Sequence, residues 1–283
     1  MAEWVETYRG IVNAWETDTV EHFTIAYYFD RFADARANYF DLIGERELLG
    51  ARVGIAPSRL HVTFQHELRA GTAFHISSAV TGLGPQAMQL GHQVVDSTTG
   101  TTVTWVVETL ALPTRVSPAV IEKLGAQTIV WPRPEASDHP PLADAPGFLA
   151  ARDRVKPWEI AENGALSLPD HVHRFSAAML QTLTTIGMSA AYMNEHRRGF
   201  STFELDLRLL TGAVVGDMVD VRTSVAHLGN SSLRVLHKMT GPGGRELASM
   251  WQSGVHLDME ARRSTKLPAD LRALATKLLI KVA

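Results

Sequence analysis

Between Phe23 and Ile43 the apolar residues recur every three or four positions. Ile25, Tyr28, Phe29, Phe32, Tyr39 and Ile43 share one side, and Asp30, Asp34, Asn38 and Asp41 the other. That period predicts an amphipathic helix over 23–43 closed by Gly44. At about 1.5 Å per residue it is a rod of about 30 Å, long enough to be the spine of a small domain. Downstream the period falls to two. Leu60, Val62 and Phe64 alternate with Arg59, His61, Thr63 and Gln65, as in a strand with one buried face. Further strands are predicted over 8–15, 74–80, 88–95 and 101–112, separated by G-L-G-P and S-T-T-G turns.

The pattern then returns. D-T-V-E-H-F at 18–23 is echoed by D-H-V-H-R-F at 170–175, which places a second helix over 176–193. Gly71, Val80, Leu83, Gly84 and His92 match Gly216, Val225, Leu228, Gly229 and His237 in the same order and spacing. Strands are predicted over 203–209, 219–225, 233–239 and 247–257. One unit therefore occurs twice, over 1–125 and 161–283. Nine of the thirteen prolines fall between Pro113 and Pro169, so the intervening segment, 126–160, reads as a connector. Val130, Trp131, Phe148 and Trp158 are expected to pack it along the surface.

Composition narrows the function classes. A net charge of −3 implies no general attraction to nucleic acid or anionic membranes, and the lack of cysteine removes disulfides and thiolate chemistry. The uncharged run 175–194 carries Gln181, Thr182, Thr184, Thr185 and Ser189, too polar for a membrane span. The first ten residues lack the basic and then apolar segments of a signal peptide, and a cytoplasmic location is expected.

The polar stretch before the first helix carries the candidate chemistry. Asp18 stands just upstream of helix N–H groups that have no partner within the helix, so a carboxylate and an oxyanion-binding site are expected side by side. Trp15, Asp18, His22 and Tyr28, with Phe32 and Ala35 beyond, resemble the signature of the 4-hydroxybenzoyl-CoA thioesterase-like family of acyl-CoA thioesterases. Glu21 stands where that family has Gly, and Thr24 where it often has Asn. The resemblance implies an α+β double hotdog, each half a long helix wrapped by an antiparallel sheet. It also implies hydrolysis of an acyl-CoA or acyl-carrier thioester, with Asp18 as general base or nucleophile.

His22 would orient Asp18 or bond the substrate carbonyl, and Glu21, Thr24, Tyr28, Met179 and Leu183 would line the substrate. A second, degenerate site would hold Asp170 and His173, with Arg174 paired to Asp170. Each residue also has a structural reading: Asp18 as a cap, His22 as a buried histidine, Tyr28 as core. Glu67 reads as a strand-end charge outside the site. No metal or cofactor is called for; D-H-V-H lacks a third ligand. An enoyl-thioester hydratase or dehydratase and a non-catalytic acyl-CoA-binding protein are the alternatives. Expected partners are the thioester substrate and a second copy in a homodimer, with no nucleic acid and no membrane.

Overall fold

The computed structural model describes residues 3–50, 54–113, 116–134, 139, 147–161 and 163–280. The chain divides into two compact units, Met1–Ser137 and Asp138–Ala283. In the first, the spine is α1, Ile25–Leu42, with Thr24 as N-cap. Gly44 follows it at φ +74°, a left-handed turn that costs glycine nothing and ends the helix. Around it run β1 (Val5–Ile11), β2 (Ala56–Phe64), β3 (Ala73–Leu83), β4 (Ala87–Asp96) and β5 (Thr102–Ala111). They form an antiparallel sheet in the order β1-β3-β4-β5-β2. Helix α2, Pro118–Ala126, is started by the Ser117 side chain accepting from Val120 N and by proline at the first position.

The second unit repeats this plan. Its strands are β6 (Phe148–Arg154), β7 (Arg198–Leu209), β8 (Met218–Leu228), β9 (Ser232–Thr240) and β10 (Glu246–Asp258), in the order β6-β8-β9-β10-β7, with the short β11 (Arg263–Ser264) on β10. Its spine is α3, Leu168–Thr185; α4 (Ala190–His196) and α5 (Ala269–Lys277) complete it. Each unit is thus an α+β hotdog, and the chain a double one.

Several boundaries differ from the sequence reading: the first strand is Val5–Ile11 and not 8–15, since Ala14–Glu16 forms a 3-10 turn. Phe148–Arg154 pairs with β8 along its length, so the residues assigned to the connector contain the edge strand of the second unit. Much of the remaining connector, 135–138 and 140–146, lies outside the described residues. Trp131 packs as expected, its ring 5.4 Å from Trp105 and 6.3 Å from Trp4. Gly91 makes room for it, since a β-carbon there would sit 2.6 Å from the indole. Val130 and Trp158, in contrast, are exposed.

The second helix begins at Leu168 and not Ser176, because Ser167 caps it and Pro169 fits its first turn. It ends at Thr185, and Gly187 at φ +95° separates it from α4.

The helices bury their apolar stripes on the sheets. Tyr39 and Phe40 meet Val80, Met88, Leu90 and Leu110 in the first unit, and Met179 and Leu183 meet Val225, Leu233 and Val235 in the second. At about 25 cal/mol per Å² of apolar surface removed from water, these contacts are the main stabilising term.

Candidate active site at the first elbow

The elbow is built from Asn13 onward. A 3-10 turn, Ala14–Glu16, buries the Glu16 carboxylate, which accepts from Asn13 N at 2.8 Å and pairs with Arg31 of α1 at 2.5 Å. The chain then doubles back: Thr17 bridges Phe23, Thr24 N donates to Glu16 O at 2.8 Å, and Phe23 N donates to Leu68 O at 2.8 Å. These bonds fix the loop 18–22 against the start of α1.

Within the loop, Asp18 Oδ1 accepts from Val20 N at 2.9 Å and His22 N at 3.0 Å, and Asp18 N donates to His22 O. Asp18 is therefore a turn former and not the cap of α1, which is Thr24, and these bonds orient its carboxylate. Glu21 has φ +65°, a conformation that costs a side-chain-bearing residue about 1 kcal/mol and glycine nothing. The departure from the Gly of the resembled signature therefore leaves the backbone turn in place, and the Glu21 carboxylate is held by Arg69.

His22 Nε2 lies 3.2 Å from Glu67 Oε1, both side chains partly buried. Tyr28 is buried among Phe23, Phe64 and Phe32, at ring distances of 4.6, 5.2 and 6.1 Å. Burial pushes its phenol well above the usual range, and the Asp18 and Glu67 carboxylates add to the shift, so it stays protonated. Ile25 and Ala26 are the first two residues of α1, whose N–H groups have no acceptor within the helix and mark its positive end.

Asp18, Glu21, His22, Thr24 and Tyr28 therefore come together. Glu67, set aside as a strand-end charge, joins them through His22; its place after β2 gave no periodic signal, because the pairing is made across the fold. Met179 and Leu183 are core residues of the second unit, packed with Ile186, Val225 and Val235.

The second unit repeats the backbone bonds of this elbow and its buried Glu–Arg pair. Pro157–Glu159 is the 3-10 turn, Glu159 accepts from Lys156 N at 2.8 Å and pairs with Arg174 at 2.7 Å, and Ile160 bridges Leu166. Ser167 N donates to Glu159 O at 2.8 Å, Leu166 N to Ala213 O at 2.9 Å and Ala161 N to Ala165 O at 2.9 Å. The counterpart of Asp18 is therefore Ala161, and those of Glu21 and His22 are Gly164, at φ +80°, and Ala165.

Since Ala213 stands for Leu68, Gly212 stands for Glu67 and Val214 for Arg69. A β-carbon on Gly212 would fall 2.9 Å from Ala165 Cβ, so no pair like His22–Glu67 fits there.

This corrects the reading of the second site. Asp170 lies in the first turn of α3, where its backbone N donates to Ser167 Oγ at 3.2 Å and its carboxylate accepts from Ser167 Oγ at 2.5 Å. His173 is exposed on the same helix. Arg174 pairs with Glu159 and Asp153 and reaches only the backbone O of Asp170. The D-x-V-x-x-F echo is out of register. Trp15-Glu16 with Arg31-Phe32, repeated at the same separation as Trp158-Glu159 with Arg174-Phe175, is the sequence signal that carries the true alignment.

A family model, the Thioesterase-like superfamily, matches residues 12–123 and again 155–274. The chain belongs to this superfamily. Its two matched segments each contain one elbow, one spine helix and the strands that follow. No curated protein matches the sequence. Among solved structures, a putative oleoyl thioesterase from Lactobacillus plantarum is similar at TM-score 0.71 and 12% identity, covering 90% of this chain and 96% of that one. A 12:0-ACP thioesterase from Umbellularia californica gives 0.69 and 13% over 88% and 93%. An acyl-ACP thioesterase from Bacteroides thetaiotaomicron gives 0.66 and 9% over 88% and 96%. At such identities the likeness is one of fold.

Proposed function

We propose that the chain hydrolyses an acyl thioester, carried by CoA or by an acyl-carrier protein, at the first elbow. The observation that carries this is the joining of Asp18, with one carboxylate oxygen held by two backbone N–H groups, to the start of α1. Hydrolysis needs a base for water or a nucleophile for the carbonyl, and donors for the negative charge that develops on the carbonyl oxygen.

Asp18 supplies the first. The N–H groups of Ile25 and Ala26, reinforced by the helix dipole, supply the second. His22, its backbone in the Asp18 loop and its ring against Glu67, positions the carbonyl or stabilises the thiolate as it leaves. Tyr28, kept protonated, is a neutral donor beneath them. Water added across the C–S bond gives the carboxylic acid and free thiol.

Membership of the superfamily and the thioesterase names of the similar structures support the reaction class. Two of those names specify acyl-ACP, which favours including carrier-bound substrates.

The test is a panel of acyl-CoAs and acyl-carrier proteins of varied chain length and ring content, followed with a thiol-reactive dye. The protein has no cysteine to add background. Thiol release is expected with at least one class, and Asp18→Asn should lower turnover at least about a hundredfold, about 2.7 kcal/mol of transition-state stabilisation. Binding without release would leave a thioester-binding protein, and water addition to an enoyl-CoA would select the hydratase.

A further inference from the structure

A cleft of about 730 Å³ opens in the second unit between the β8–β9 turn and the segment Lys266–Ala269 that leads into α5, with Arg272 of that helix on its wall. It lies away from the elbow. β8 starts at Met218 beside the elbow, where Gly216 N donates to Val155 O, and ends at Leu228 on the cleft. Leu267 N donates to Asn230 O at 3.0 Å and joins the two walls, and Leu228, Leu267 and Pro268 make the lining largely apolar.

Two cations reach this cleft without an acid. Arg272 Nη2 donates to the backbone O of Gly229 and, at 3.3 Å, of Asn230, which leaves Nε and Nη1 with no partner among the described residues. Lys266 Nζ has none among them either. Arg31, Arg36, Arg174 and Arg198, also shielded from solvent, each pair with a carboxylate. Asp270, the acid nearest in sequence, turns elsewhere: two residues along a helix are about 200° apart, whereas Ala269 and Arg272, three apart, share the cleft face. The fold requires neither Arg272 nor Asn230. Helices α2 and α5 are each nine residues long and are followed by the same bond to the sheet, Ile129 N to Val80 O and Ile280 N to Val225 O. In that register Arg272 stands where the first unit has Ile121, packed on its core, and in the turns aligned by Gly84 and Gly229 Asn230 stands where it has Pro85.

We propose that the cleft binds a phosphorylated small molecule with a ring or other apolar body. Two unpaired cations match the nearly double charge of a phosphate, where a single carboxylate would leave one of them unanswered. Leu228, Leu267 and Pro268 cover the body, and Asn230 brings an amide to the rim. The volume falls in the range of small-ligand sites, about 300–1,000 Å³. The proposal does not rest on the reaction assigned to the first elbow.

The test is titration of the full chain with AMP, inorganic phosphate and adenosine, read by calorimetry and by the thermal midpoint, which a ligand of the folded state raises. Saturable binding of AMP is expected, weakened by salt. Inorganic phosphate, which lacks the body, should bind less tightly, and adenosine, which lacks the charge, not at all. Lys266→Gln breaks no bond within the described residues, so it should keep the ligand-free midpoint and weaken AMP at least about tenfold. Arg272→Gln should weaken AMP as much, at a lower midpoint because its bonds to the β8–β9 turn are lost too. Absence of AMP binding, or equal binding by Lys266→Gln, overturns the proposal. So does adenosine or inorganic phosphate binding as tightly as AMP.

Discussion

The two elbows share a backbone and differ in nearly every group able to react. Both have the buried glutamate paired to an arginine of the spine helix, the same antiparallel bridge and the same left-handed residue in the loop. Yet Asp18, Glu21, His22, Glu67 and Arg69 stand in one, and Ala161, Gly164, Ala165, Gly212 and Val214 in the other. Asn163 Oδ1, accepting from Ala165 N at 3.1 Å, closes the second loop as Asp18 closes the first. The Glu–Arg pair and the bridge are thus what the fold needs, and the ionisable cluster is additional to it.

The same contrast recurs beneath the helices. In the first unit Arg36 reaches Glu108 at 2.8 and 3.0 Å, His92 lies 3.6 Å from Glu108, and His92 Nδ1 meets Ser78 Oγ at 2.7 Å. Glu108 is fully buried; burial opposes its charge, but Arg36 and then His92 outweigh it and hold the carboxyl below its usual range. In the second unit His237 keeps the hydroxyl partner, Thr223 at 2.7 Å, and a neighbouring phenylalanine, Phe175, tilted on it where Phe32 stacks on His92. Met179 replaces Arg36, and Gln252 replaces Glu108. Two solutions to one buried position, ionic and neutral, sit in one chain.

The largest expected effect comes from breaking the ionic one. Arg36→Met leaves Glu108 buried without its main partner and should destabilise the first unit by about 3–5 kcal/mol. Adding Glu108→Gln reproduces the second unit's arrangement and should recover most of that loss, measured by denaturant unfolding. A double variant as unstable as the single one would mean that the two units do not pack this position alike.

Acid should next distinguish the units. Burial, foremost, lowers His237 and His171 to about 4, so both are neutral in the folded state where an unfolded histidine takes a proton near 6.5. The unfolded state then binds more protons between these values. Stability contributed by each histidine is present above about pH 6.5, falls as pH drops towards 4, and changes no further below it. The full loss approaches about 3 kcal/mol for each group. Unfolding of the second unit followed from pH 7 to 4 should show this slope, and His237→Gln should lessen it.

The smallest effect is expected at Asp170. As a partner of the Ser167 cap it should contribute about 1 kcal/mol to stability and nothing to turnover, so Asp170→Asn should lower the thermal midpoint slightly and leave thiol release intact. Loss of turnover comparable to that of Asp18→Asn would assign chemistry to the second copy.

Much of this was legible along the chain. Three- and four-residue spacing from Ile25 to Ile43 announces α1, and alternation at Leu60–Phe64 announces β2, because burial of one face imposes the period of the local backbone. The match of Gly71 with Gly216, at φ +86° and +87°, exposed the duplication, since a left-handed turn restricts the residue as strongly as a core does. Asp18 stood out because it lies just before a helix start, whereas His22 and Tyr28 were singled out by the resemblance to the thioesterase signature.

The remainder depended on contacts between residues far apart in sequence. Glu67 joined His22, Arg36 found Glu108, and the second elbow took its register from Trp158, Glu159 and Arg174 and not from an appealing short motif. Local pattern fixes which face of an element is buried. Which charged groups meet beneath it is decided only when the sheet closes over the helix, because the desolvation that makes those pairings necessary exists only in the folded chain.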